Sequence, residues 1–76
     1  MQQYHLEFRA TNTPELLERI FRVVRHRGFS VLSSQALLNE SQQEFHVKLC
    51  VSGSRALEYL TKQLEKLWDV QSLEVK

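Results

Sequence analysis

The order in which hydrophobic periodicity changes along this chain leaves few folds open to it. Tyr4, Leu6, Phe8 and Ala10 alternate with His5, Glu7 and Arg9, the period of a half-buried strand. Thr11-Asn12-Thr13-Pro14 interrupts the alternation. Proline suits the first helical position and pushes its predecessor out of helical geometry, so Thr13 is expected as N-cap. Leu16, Leu17, Ile20, Phe21, Val23 and Val24 then fall on one arc of a helix, opposite Glu15, Glu18, Arg19, Arg22, Arg25 and His26. Gly28 supplies the stop. Phe29 to Leu38 reads as a second strand, Asn39-Glu40-Ser41-Gln42 as a turn, and Phe45, Val47, Leu49 and Val51 mark a third strand. Ser52-Gly53-Ser54 offers caps for a second helix bearing Leu57, Leu60, Leu64 and Leu67 on one face; Asp69 to Lys76 closes the chain as a strand, with Leu73 and Val75 on one side.

The resulting order is βαββαβ, an α+β string. Two helices can cover one face of a four-stranded antiparallel sheet, and the right-handed crossover preference selects the ferredoxin-like split βαβ sandwich. Strands one and three are expected in the centre, strands two and four at the edges. His5, Glu7, Arg9, His46, Lys48 and Cys50 then share the face left open by the helices. With 76 residues the chain reads as a single domain, 1–76. A domain of this size buries only about 60% of its unfolded surface, so a partner is expected to complete it.

Composition excludes several functions. Ten Lys and Arg against nine Asp and Glu leave a net charge of +1, too little for a whole-domain grip on nucleic acid or anionic lipid. No membrane span or secretory signal fits, and the single cysteine, Cys50, makes no internal disulfide. A reducing, cytoplasmic setting is expected. Two glycines, Gly28 and Gly53, are too few for a phosphate-cradling loop. His46 and Cys50 share a strand face but stand about 13 Å apart, beyond the reach of a nucleophile and its base. His5, His46 and Glu7 form the one conceivable metal cluster, yet two imidazoles without a third spaced ligand read as exposed strand residues, so no metal site is assigned. Glu15–Arg19, Glu18–Arg22 and Glu58–Lys62 read as solvated helix pairs. Turning Tyr4, Phe8 and Phe45 outward to stack RNA bases would strip the helices of their core. No catalytic residue is assigned.

Two surface features remain. Arg19, Arg22, Arg25 and Arg27, with His26 among them, place four formal positive charges in nine residues, which reads either as a solvated helix face or as a docking stripe for an acidic protein surface. Strand two, read with Val31, Ser33 and Gln35 inward, turns Ser30, Leu32, Ser34, Ala36 and Leu38 outward; a reversed parity or an intervening bulge is the alternative. An edge strand with small and apolar outward residues and no lysine or proline is poorly protected against pairing with another strand. A homodimer through strand two is expected.

In this setting the stretch Leu17-Glu18-Arg19-Ile20-Phe21-Arg22-Val23-Val24-Arg25-His26-Arg27-Gly28-Phe29 resembles the first helix and following strand of ACT domains, in particular those of acetolactate synthase small subunits of the isozyme II type. Lys62-Gln63-Leu64-Glu65-Lys66-Leu67-Trp68-Asp69-Val70 is similar to the segment ending the second helix there. The resemblance implies a non-catalytic regulatory subunit that activates a separate large catalytic subunit in branched-chain amino-acid biosynthesis. That partner, not this chain, would carry thiamine diphosphate, magnesium and FAD. Members of the family pair through strand two, and the valine-sensitive ones bind the effector at that interface, near the loop between strand one and helix one. The corresponding residues here are Asn12, Thr13, Pro14 and Glu15, with Leu37 on the facing strand. Glu15 stands where valine-sensitive members have glycine, and Leu37 where they have a small residue. A carboxylate beside the effector carboxylate opposes binding, so weak or absent valine inhibition is expected. Arg19, Arg22 and His26 are the residues expected to dock the large subunit. A free-standing amino-acid sensor and a structural ferredoxin-like module are the alternatives.

Overall fold

The computed structural model describes residues 2–76. Its elements are β1 (Gln2–Thr11), α1 (Leu16–His26), β2 (Ser30–Asn39), β3 (Glu44–Gly53), α2 (Glu58–Glu65) and β4 (Val70–Val75). The strands form one antiparallel sheet in the order β2-β3-β1-β4, the βαββαβ sandwich expected, with β1 and β3 central. Alternation decides the faces. Leu6, Phe8 and Ala10 of β1 and Val47, Leu49 and Val51 of β3 are buried against Leu16, Ile20 and Val24 of α1 and Leu60 and Leu64 of α2. The intervening His5, Arg9 and Lys48 are exposed on the other face.

The end of α1 is made by its sequence. Gly28 adopts φ 86°, and the bonds Phe29 N–H to Val24 C=O and Gly28 N–H to Arg25 C=O form the paired C-terminal closure in which a left-handed residue satisfies the last carbonyls. Phe29, thrown back by this turn, is buried in the core beside Val24.

The helix starts differ from expectation. Thr13 is not the N-cap and Pro14 is not in the helix: α1 begins at Leu16 after Glu15, which holds φ 59° and ψ 22° and caps nothing with its side chain. Thr13 is drawn away by a tertiary hydrogen bond to Asp69. Ser52-Gly53-Ser54 caps no helix either, because β3 runs through Gly53 and α2 starts at Glu58. Gly53 serves a packing purpose, since a Cβ there would stand 2.5 Å from the Phe29 ring. Leu67 lies beyond the end of α2 but still packs on the core.

The largest correction concerns β2. Val31 opposes Val51 and Ser33 opposes Cys50, so Leu32 is an extra residue in a bulge. One inserted residue reverses every later side chain. Ser34, Ala36 and Leu38 oppose Leu49, Val47 and Phe45 and so lie on the helix side, while Ser33, Gln35 and Leu37 lie on the open face. The single outward face formed by Ser30, Leu32, Ser34, Ala36 and Leu38 therefore does not exist. β2 is nonetheless an edge strand, and Leu32, Leu37 and Leu38 are exposed along it.

Candidate functional site

At one end of the sheet the β1–α1 loop, the β2–β3 turn and the segment entering β4 converge. The loop is held on both sides. Asn12 donates its backbone N–H to Gln43 C=O at 2.8 Å and its side-chain Nδ2 to Gln43 Oε1 at 3.1 Å. Gln43 is itself left-handed, with φ 50°, and its amide returns to Glu40 C=O at 2.9 Å. On the other side Thr11 N–H donates to Asp69 C=O at 2.8 Å, and Thr13 Oγ1 donates to Asp69 Oδ2 at 2.8 Å.

Asp69 is 1% exposed, and a lone buried carboxylate would be costly. Arg19 supplies the counter-charge: its Nη2 pairs with Asp69 Oδ2 and also donates to Thr13 Oγ1 at 2.8 Å. Helix α1, the loop and the start of β4 are thus tied at one point. Sequence reasoning missed this triad, and placed Arg19 on the docking stripe. Arg19 is engaged within the fold, whereas Arg22 and His26 remain exposed on α1.

Glu15 stands at the helix entrance in the left-handed region, where a β-carbon is strained and glycine is favoured. The backbone here keeps the shape that suits glycine although the residue is glutamate. Leu37 is not part of this cluster; it lies on the open face opposite His46 and is 60% exposed.

The open face holds a second polar group. Glu7 Oε1 meets His46 Nε2 at 2.6 Å, and Glu7 Oε2 lies 3.6 Å from Lys76 Nζ, which also meets Glu74 at 2.8 Å. The His46 hydrogen bond holds the Glu7 carboxyl below its usual range, with Lys76 and Lys48 adding to the effect. His5 takes no part: it opposes Cys50, while His46 opposes Arg9, so the register separates the two imidazoles. Among the described residues no group of three His, Cys, Asp or Glu is placed to hold a metal ion. The helix pairs Glu15–Arg19, Glu18–Arg22 and Glu58–Lys62 are not among the ion pairs formed. Among the described residues no helix is long and apolar enough to cross a membrane.

A family model described as ACT domain matches residues 12–73. The chain is 41% identical over 70 residues to the acetolactate synthase isozyme 2 small subunit of Escherichia coli K12, spanning 92% of this chain and 80% of that one. Among solved structures it resembles the acetolactate synthase small subunit of Thermotoga maritima, with TM-score 0.83 and 20% identity over 99% of this chain; it spans 47% of that longer protein. It also resembles the ACT domain of the GTP pyrophosphokinase of Chlorobium tepidum, with TM-score 0.71 and 16% identity over 97% of this chain and 96% of that one. The two structural likenesses concern the fold alone, but the family match over most of the chain and the Escherichia coli relative go further: this chain belongs to the ACT domain family, as a relative of the acetolactate synthase isozyme 2 small subunit.

Proposed function

We propose that the chain is the non-catalytic, activating small subunit of a cytoplasmic acetolactate synthase of the isozyme II type. The observation that carries this is the 41% identity, over 92% of the chain, to a protein named as that subunit. Thiamine diphosphate, magnesium and FAD would then reside in the large catalytic subunit. This chain contributes surfaces: the β2 edge for pairing with a second copy, and the basic outer side of α1, with Arg22 and His26, for the large subunit.

Valine inhibition is weak or absent in this reading. Two features of the β1–α1 loop support it. Asn12 and Thr13, the polar side chains that would meet an effector, are committed to Gln43 and Asp69. Glu15 adds a carboxylate where a ligand carboxylate would have to approach.

The test is reconstitution. Adding the purified chain to an isozyme II large subunit is expected to raise acetolactate formation, and calorimetric titration with valine is expected to give no heat of binding. Unchanged activity together with a thermal shift on adding an amino acid would favour a free-standing sensor instead. Micromolar valine binding would overturn the account of the loop.

A further inference from the structure

The ion pairs divide the molecule unevenly. On the sheet side Glu7, Glu44 and Glu74 each have a cationic or imidazole partner. On the helix side, among the described residues, no carboxylate lies within 4.0 Å of Arg27, Arg55, Lys62 or Lys66. Three of these cations share one groove, and the fourth lies against the residue that follows Arg27. Arg27, Lys62 and Lys66 line a groove of about 380 Å³ between the end of α1 and the outer side of α2. The Arg55 side chain covers Gly28, the residue after Arg27, coming within 3.2 Å of where a β-carbon there would stand. Tyr59, 61% exposed, lies in the same groove.

We propose that this groove is a docking site for a carboxylate-rich segment of the large catalytic subunit, with Tyr59 as its aromatic anchor. The inference rests on the function proposed above and extends it to a second surface, continuous with the α1 stripe through His26 and Arg27. Unpaired cations around one amphipathic aromatic ring match discrete carboxylates beside an apolar side chain. A polyanionic backbone fits less well. Glu58 also lines the groove and repels either kind of anion, so it does not decide between them; a single ring makes no stacking platform for bases, and the whole chain carries only +1.

The experiment measures Kd for the intact chain and the purified large subunit by calorimetry at low and high salt. Wild-type affinity is expected to fall with salt. The double variant Lys62→Glu/Lys66→Glu is expected to weaken binding about tenfold or more, and Tyr59→Ala about tenfold. Lys48→Gln, on the open face, is expected to leave Kd within about twofold, the usual effect of a charge outside the contact. All four positions are exposed, so the variants retain the fold. Equal Kd for wild type and the double variant would overturn the groove and leave the subunit function standing. Failure of the wild-type chain to bind any large subunit would overturn both. Tighter binding to duplex DNA or anionic vesicles, lost in the double variant, would overturn the proposal in favour of a polyanion surface.

Discussion

Arg19, on the second turn of α1, forms an ion pair with Asp69, fifty residues further along, and Thr13 bridges the two. The pair locks the β1–α1 loop because the carboxylate is fully buried while the guanidinium keeps about a third of its side chain in solvent. Removing the cation strands a buried charge, which costs about 3–5 kcal/mol when the pair is wholly buried; partial exposure of Arg19 places Arg19→Ala near about 2–3 kcal/mol. Urea denaturation midpoints measure it. Arg22→Glu, on the exposed side of the same helix, is expected to leave stability nearly unchanged and to lower activation of the large subunit. A loss of stability under about 0.5 kcal/mol in Arg19→Ala, the range of an ordinary surface change, would remove the lock.

Glu15 gives a test of backbone strain. A non-glycine residue in the left-handed region costs about 1–2 kcal/mol, and glycine returns part of this through its freer unfolded chain. Glu15→Gly is therefore expected to stabilise the domain by about 0.5–1 kcal/mol, whereas Glu15→Ala, which keeps the β-carbon, gains nothing comparable. Thermal melts of the two variants separate strain from the loss of charge, since both remove the carboxylate. Equal melting temperatures would mean that the left-handed geometry carries no penalty here.

The Glu7–His46 contact predicts a pH dependence. Because Glu7 titrates lower when folded than when unfolded, the unfolded chain takes up the proton first on acidification. Its contribution is complete above the ordinary carboxylate range and is lost as pH falls through the folded value. His46, Lys76 and Lys48 are the groups facing it. The stability gap between wild type and Glu7→Gln should hold down to about pH 5 and then close as acidification proceeds below the ordinary carboxylate range, as followed by urea midpoints across that range. A gap that stays constant through the range would rule out Glu7 as the titrating group.

At the β2 edge, Leu32, Leu37 and Leu38 are 50%, 60% and 40% exposed, beside a backbone with no strand on its outer side. Such an edge favours strand addition, and charges placed along it oppose pairing. Sedimentation should give a dimer for the wild-type chain and a monomer for Leu32→Lys/Leu37→Lys. A wild-type monomer at every concentration tested would remove this interface.

What the amino-acid sequence determined by itself was what depends on near neighbours. Period-two and period-3.6 patterns set the six elements and their order, and with chain connectivity they led to the central pairing of β1 with β3. Parity then assigned the core: Leu6, Phe8, Val47 and Leu49 had to face the helices because their alternate neighbours are polar. Gly28 closed α1 for a reason equally local. Tertiary structure decided the rest. Nothing near Arg19 in the chain announces Asp69, and the helix-pair rule pointed to Glu15 instead; the choice was made by the approach of α1 to the start of β4, which buries that carboxylate. The choice between an unbroken β2 and one bulged at Leu32 was left open for a related reason. Register is a property of two strands together, and in a segment as poor in contrast as Ser33-Ser34-Gln35 neither face has enough apolar surface to fix parity before β2 pairs with β3.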